Sequence, residues 1–358
     1  MKVLLLGEYS GFFKNLKLGF QANGCDVVHA AGGDGWKKIE GVDINLDSHK
    51  NGILRKVSIF LKYLLNYRKF KDFDLVIIIN PSFFKKGIGR IVFNYIRNNN
   101  KKIFLSACGD DVEYITYGLS GNFKFWPFQN WKEDSIRSDY FQTPRERSIH
   151  SLIAGNVDRV VPTAYDYRVA WMNSIYADKV SETIPLPIKI ADAPPSFKML
   201  SDKIVFFHGL NREGFKGTHY IRKALEKLKE NFPNDVEVVI DGNMPLEQYL
   251  KLLKKVDVVL DQCKVYSFGS MNTLYSLSMG KLVMSGAQVE CLKDLNLIES
   301  PVVCLEPDEG QIYSQLVKIL EEKNSLDQKR YDGYNYLIDN HSTEYIAQRY
   351  IDLYMEEN

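Results

Sequence analysis

The sequence predicts an α/β protein built from two parallel-sheet domains, and three observations carry that prediction. Short, continuous apolar runs alternate with longer helical patterns along the chain, as βαβ units require. The alternation breaks once, in a proline-rich stretch, and then restarts. At 358 residues the chain is also longer than one compact core ordinarily holds.

The first half opens with "KVLLLG" (2–7), an apolar run that predicts a buried strand. "FFKNLKLGFQANG" (12–24) has helical spacing and stops at Gly24, and "DVVHAA" (26–31) predicts the next strand. "DLVIIIN" (74–80), "KIFLSAC" (102–108) and "DRVVPTA" (158–164) are further strands, apolar on both faces as a covered sheet requires. Between 185 and 203, Pro185, Pro187, Pro194 and Pro195 fall in a stretch without period, and a linker is expected over 189–202.

The second half resumes with strands at "KIVFFHG" (203–209), "DVEVVID" (235–241), "DVVLDQ" (257–262), "KLVMSG" (281–286) and "PVVCLE" (301–306). Amphipathic helices are expected at 217–232 and 245–256, and a closing helix at 342–357 with Ser342 as N-cap. The expected domains are therefore 1–188 and 203–341. In such open sheets ligands bind at the carboxyl ends of the strands, so one cleft between the two domains is expected to hold the site.

Composition excludes several classes. Net charge is +1, so no global field argues for nucleic acid, and none is expected as a partner. The five cysteines are dispersed, with no CxxC pair and no zinc spacing, so free thiols and no metal site are expected. The N-terminal apolar run is too short for a signal peptide, and no window approaches a membrane span. The expected location is the cytoplasm, with peripheral contact at the inner face of a membrane as an added reading.

Five stretches could carry chemistry. In "FFHGLNREGFKGTHYI" (206–221) a strand ends near His208 and Gly209, and the loop holds Arg212 and Lys216 four residues apart. A guanidinium fork and a point charge suit a diphosphate; two ordinary surface cations are the plain alternative. His208 is either a cleft residue or a packed one. In "YSFGSMNTLYSLSMGK" (266–281) a glycine loop feeds a helix from about Met271, whose terminal amides bind anions without side-chain charge. Gly269 would admit a phosphate to the backbone and Ser270 would add a hydroxyl; a simple capped turn is the alternative. In "SACGDDVEY" (106–114), Asp110 and Asp111 either contact a hydroxyl or cation, or cap a helix. A metal is the weakest reading of a single acidic pair. "GEYSGFF" (7–13) lacks the GxGxxG spacing of a dinucleotide fingerprint, and Gly11 is read as keeping a helix start open beside a ligand. Last, 50–71 holds seven Lys/Arg and no acid, with Leu54, Val57, Leu61, Leu64 and Leu65 on one helical face and Arg55, Lys62 and Lys69 on another. That pattern suits either an anionic membrane surface or a core-packed helix with a solvated basic face.

Taken in order, "NREGFKGTHYI", "VVLDQ" and "FGSMNTLYSLSMGKLVMSG" resemble the GT-B glycosyltransferases, specifically the large retaining group that uses nucleotide-diphosphate sugars. "GDDVE" looks like a "GSD" segment these enzymes often carry in the first domain. The likeness is strongest over 203–285. It implies two Rossmann-like domains facing across a cleft, with the last helix (342–358) crossing back onto the first domain. It implies that Arg212 and Lys216 hold the donor diphosphate and neutralise the leaving group, and it adds Asp111 to the catalytic set. The donor side would comprise Gly209, Gly242, Asn243, Ser267, Gly269, Ser270, Met271, Asn272 and Tyr275, with the nucleobase near Gly242 and Asn243. Gly11, Asp110 and Asp111 would face the acceptor.

The family pattern places two glutamates eight positions apart around the glycine loop, for sugar and ribose. Here those places fall on Ser267 and Tyr275, which offer a hydroxyl and a phenol. The resemblance implies transfer of a sugar to a glycan or lipid-linked acceptor, retaining, without metal or other cofactor, in cell-surface polysaccharide synthesis. The same departure motivates an alternative, a catalytically degenerate module that binds a glycan or protein partner. A sugar-nucleotide epimerase is a weaker third reading.

Overall fold

The computed structural model describes residues 1–32, 34, 39–48, 51–84, 88–129, 139–197, 202–210 and 212–356. The expected linker lies outside this set at 198–201, and the closing helix does so at residue 357. The chain divides into two compact units. One comprises 1–120, 139–189 and 342–358; the other comprises 121–138 and 190–341.

In the first unit the strands are β1 (Lys2–Leu6), β2 (Asp26–Ala31), β3 (Ile44–Asn45), β4 (Leu75–Ile78), β5 (Lys102–Ala107) and β6 (Arg159–Pro162). They form a parallel sheet in the order β3-β2-β1-β4-β5-β6, with Lys2 against Asp26 and Val3 against Leu75. The order reverses at β1, so the loops after β1, β4 and β5 gather at one carboxyl edge. Helices α1 (Phe12–Ala22), α2 (Gly52–Asn66), α3 (Gly89–Asn98), α4 (Val112–Leu119), α5 (Pro144–Asn156) and α6 (Tyr165–Met172) accompany the sheet. Leu4, Leu6, Val76, Ile78, Phe93 and Ile103 are among the buried residues of its core.

The second unit has β7 (Ile204–Leu210), β8 (Val236–Gly242), β9 (Val258–Leu260), β10 (Leu282–Ser285) and β11 (Val303–Cys304), parallel in the order β11-β10-β9-β7-β8. The switch point falls between β7 and β9. Its helices are α7 (Glu213–Lys216), α8 (Thr218–Asn231), α9 (Leu246–Leu253), α10 (Met271–Ser278), α11 (Val289–Asp294), α12 (Glu309–Glu321) and α13 (Leu326–His341). Apolar clusters lie on both faces of this sheet, one around Phe206, Ile221 and Val258 and one around Val205, Phe207 and Val259.

The last helix, α14 (Thr343–Glu356), belongs to the first unit. It lies on α1 at Gly19, where an added Cβ would come 1.9 Å from the Thr343 carbonyl oxygen. Tyr350 packs beside Phe20, and its hydroxyl is 3.5 Å from Ser106.

One expected boundary needs correction. Residues 121–129 were assigned to the first domain, but they fold into the second unit. The reason is specific: Lys264 and Tyr266, both buried, bind this segment's backbone. Helices α5 and α13 carry no strong apolar stripe and were not anticipated; each has a polar composition with scattered buried positions.

Candidate functional site

The best-built polar cluster in the second unit forms where β7 and β9 end. Asp261, the residue after β9, is buried and receives hydrogen bonds from four side chains. Lys216 Nζ donates at 3.0 Å and Asn272 Nδ2 at 2.6 Å to Oδ1. Ser270 Oγ donates at 2.5 Å and Thr273 Oγ1 at 3.0 Å to Oδ2. Burial alone would raise this carboxyl's pKa. The Lys216 charge and the bonds from Ser270, Asn272 and Lys216 outweigh burial and hold it below the ordinary carboxylate range.

The cluster fixes the N-terminus of α10. Ser270 caps it, accepting from Thr273 N at 3.2 Å while its own proton goes to Asp261. Before it, Gly269 has φ +91°, a left-handed conformation suited to glycine. The first amides of a helix have no acceptor within the helix, so those of Met271 and Asn272 are the ones an anion at this terminus would meet. Ser267 is 6% exposed, and its hydroxyl lacks a hydrogen-bond partner among the described residues. A buried polar group without a partner is costly and invites a ligand.

The expected parts of Lys216 and Arg212 differ from this geometry. Lys216 does not present a bare charge to a diphosphate. Its ammonium is buried and bound to Asp261, so it acts by organising the α10 terminus. Arg212 stacks on Phe215, with its guanidinium carbon 3.7 Å from the ring centroid, and lies 5.6 Å from the centre of Phe128. The stack fixes the guanidinium plane. Gly217 turns the chain between α7 and α8 at φ +74°, and a Cβ there would meet Cys263 Sγ at 2.4 Å.

His208 is a packed histidine and not a cleft residue. It is fully buried on β7; Nδ1 donates to the Leu260 carbonyl at 2.8 Å, which leaves Nε2 to accept from Thr218 Oγ1 at 2.8 Å. Burial, aided by the Lys216 charge, pushes its pKa down to about 4. It is a neutral strut between β9 and α8.

The remaining donor-side expectations lie at the β7–β8 end or on α10. Leu210 pairs with Gly242, and a Cβ on Gly242 would come 1.8 Å from the Leu210 carbonyl oxygen. Asn243 has φ +56° and donates its N–H to Leu210 O at 3.0 Å. Close strand approach and a left-handed turn thus account for both residue types. Gly209 leaves room beside Phe207 and Tyr249. Tyr275 packs, partly buried, against the apolar cluster of Val205 and Phe207.

Sequence reasoning missed Asp261, although "VVLDQ" displayed it at a strand end. The signal was available: an acid followed at offsets 9, 11 and 12 by Ser270, Asn272 and Thr273 at a helix start. It also missed Lys264, whose ammonium donates to the carbonyls of Pro127 (2.6 Å), Gln129 (2.9 Å) and Gly214 (3.1 Å). Tyr266 adds a stacked ring on Phe125 and accepts from Lys124 N at 2.9 Å. A cavity of about 350 Å³ opens beside this segment, lined by Lys124, His219, Tyr220, Lys264 and Glu306 among others.

In the first unit, Gly11 begins α1 with φ +92°, and its N–H goes to Glu8 Oε1 at 2.9 Å. Glu8 Oε2 accepts from Lys14 N at 2.9 Å. Burial raises the Glu8 carboxyl to about 7 against those stabilising amides. Asp111 is a buried helix cap, the second of the two readings that its sequence context left open. Its Oδ1 accepts from Tyr114 N at 2.8 Å and its Oδ2 from Trp171 Nε1 at 2.9 Å, so both oxygens are engaged within the fold. Burial pushes its carboxyl up to about 6. Asp110 is buried beside it, and its backbone oxygen accepts from Asn80 Nδ2 at 3.2 Å. Among the described residues no cluster of three or more His, Cys, Asp and Glu could hold a metal ion.

No protein-family model matches the sequence, and no curated protein matches it. Solved structures do. HepE from Anabaena, in complex with UDP and glucose, aligns over 99% of this chain and 100% of its own, with 11% identity and a TM-score of 0.62. Sucrose-phosphate synthase from Thermosynechococcus elongatus aligns over 99% of both chains, with 12% identity and a TM-score of 0.62. UDP-GlcNAc 2-epimerase from Neisseria meningitidis, bound to UDP-GlcNAc, aligns over 99% of this chain and 100% of its own, with 13% identity and a TM-score of 0.52. At these identities the likeness is one of fold: the chain has a GT-B glycosyltransferase-like fold of two Rossmann-like α/β units.

Proposed function

We propose that the protein is a glycosyltransferase that moves a sugar from a nucleotide-diphosphate donor to a glycan or lipid-linked acceptor in cell-surface polysaccharide synthesis. The observation that carries this reading is the α10 terminus: its first amides, fixed by the bonds from Ser270, Asn272 and Thr273 to Asp261, with Gly269 at φ +91° before it and the Ser267 hydroxyl buried without a partner among the described residues. The fold-level relatives support it, since HepE is seen with UDP and with UDP-glucose.

In this reading the amides of Met271 and Asn272 take the donor diphosphate and stabilise the leaving group as its charge develops. Arg212 adds a positive charge from the neighbouring loop. Ser267 donates its free hydroxyl to a donor oxygen. Gly242 and Asn243 border the nucleobase, and Tyr275 lies toward the ribose. Transfer proceeds with retention and without a metal; the acceptor hydroxyl attacks from the leaving-group side, and a donor phosphate oxygen takes its proton. The cytoplasm, where nucleotide sugars would meet it, is the proposed location.

The test is a panel of nucleotide sugars and free nucleoside diphosphates read by calorimetry, followed by turnover. Binding of one nucleoside diphosphate, weakened by Arg212→Ala, and of its nucleotide sugar, weakened also by Ser267→Ala, is expected. One observation favours a second reading, a binding module without turnover: neither Ser267 nor Tyr275 supplies a carboxylate to the sugar or ribose. Absence of binding by any member of the panel selects that reading.

A further inference from the structure

The helix α2 is turned the other way from a core helix. Only Ile59 and Tyr63 of its residues are buried. Ile53 (79% exposed), Leu54 (66%), Val57, Leu61, Leu64 and Leu65 (75%) face out. At 3.6 residues per turn these positions span an arc of about 120°, a broad apolar stripe. Arg55 and Lys62 flank it on one side, where Arg55 pairs with Asp47 at 2.9 Å and Lys62 donates to the Asp47 carbonyl, and Lys56 flanks it on the other; no Asp or Glu occurs in 51–69, so the cations outnumber the acids around the stripe. A contiguous exposed apolar surface of this kind on a folded chain marks an interaction site.

We propose that α2 docks the protein on an anionic lipid bilayer, with the leucine stripe at the headgroup–acyl boundary and the flanking cations among the lipid phosphates. Charge complementarity selects this occupant. A second copy packed stripe to stripe about a two-fold axis would bring like, net cationic flanks together, with Asp47 beside each stripe already engaged by Arg55. A bilayer of anionic lipid meets the positive charge that Asp47 leaves in excess and takes the apolar face at once. Among the described residues no helix is long and apolar enough to cross a membrane, so the contact is peripheral.

The seating of α2 ties this surface to the first unit's carboxyl edge. Tyr63 packs on Phe83, with ring centroids 5.5 Å apart, and donates to its carbonyl at 3.3 Å. Phe83 lies in the turn after β4 and reaches the Gly7 position, 3.5 Å from where a Cβ would be. In the same turn Ser82 hydrogen-bonds the Tyr9 hydroxyl at 2.9 Å. The docked helix therefore carries the loop around Gly7–Gly11 with it toward the lipid surface. Given the transferase reading above, on which this last step rests, the acceptor is one carried by a lipid rather than a free glycan.

The test is co-sedimentation of the full chain with vesicles of phosphatidylglycerol and phosphatidylcholine, against phosphatidylcholine alone. Expected are pelleting with the anionic vesicles, its decline as salt is raised, and a loss of about tenfold or more in Leu61→Ser/Leu65→Ser. Leu54→Ser, a separate exposed position, gives a second variant should the pair fold poorly. No pelleting with anionic vesicles, equal pelleting with both lipids, or full binding by the folded variants overturns the proposal. So does a concentration-dependent dimer that the same variants dissolve, which would make the stripe a self-interface. Vesicle binding needs no donor, so its failure and the failure of the transferase reading are separate results.

Discussion

The ammonium of Lys216 lies 3.0 Å from Oδ1 of Asp261, and both side chains are buried at the switch point of the second sheet. The pair is structural before it is anything else. Asp261→Asn removes the partner of a buried cation while keeping its volume, which costs about 3–5 kcal/mol. Lys216→Met leaves Asp261 with three hydroxyl and amide donors, from Ser270, Asn272 and Thr273, and costs less. Urea unfolding of the two variants reads the order. A Lys216→Met protein as stable as wild type would show that the lysine is a ligand cation rather than a strut.

Ser267 makes the opposite kind of prediction. Its hydroxyl is buried without a partner among the described residues, so Ser267→Ala relieves a desolvated polar group and stabilises the ligand-free protein by about 1 kcal/mol. The same change weakens binding of a nucleotide sugar, because the hydroxyl that would bond the donor is gone. Thermal unfolding with and without the nucleotide sugar separates the two effects. A Ser267→Ala protein that loses stability in the absence of ligand rules out the vacant-donor account.

Much of this architecture was legible in the sequence because parallel sheets covered on both faces write themselves as continuous apolar runs. "KVLLLG", "DLVIIIN" and "KIVFFHG" became β1, β4 and β7 for that reason. The glycine loop before α10 was legible too, since capping and left-handed turns restrict residue type locally. Asp261 was displayed but not read: the spacing to Ser270, Asn272 and Thr273 is local, while Lys216, the charge that completes the cluster, comes from 45 residues earlier. Asp111 stayed ambiguous for a related reason: an acidic pair after a strand looks the same whether it faces a ligand or caps α4 and binds Trp171. Residues 121–129 escaped because the side chains that hold them, Lys264 and Tyr266, lie far along the chain.

Lys264 is the anchor of that segment. Its ammonium serves three backbone carbonyls, two of them in 127–129 and one in α7. Lys264→Met keeps the apolar stem and leaves these oxygens without their charged donor, a loss of about 2–4 kcal/mol. The release is local, so limited proteolysis near 121–129 rises more than global unfolding does. Protection of that segment equal to wild type would remove Lys264 as its anchor.

Glu8 sets a pH dependence of known sign. Burial raises its carboxyl from 4.5 to about 7 in the folded chain. Between those values the folded state keeps a proton that the unfolded state has released, so stability falls as pH rises through the window and levels off above it. The total is about 3 kcal/mol. His208 works in the other sense: held neutral down to about 4, it makes the fold lose stability as pH falls from 6.5. The two slopes overlap, so the wild-type profile alone does not isolate either. Glu8→Gln keeps an acceptor for the Gly11 or Lys14 amide and removes the titration. The difference between variant and wild-type unfolding free energies, measured across pH 4.5 to 7, then reports Glu8 alone. A difference that grows in favour of Glu8→Gln as pH rises is expected; a flat difference means that the carboxyl ionises in the folded protein as it does in the unfolded chain.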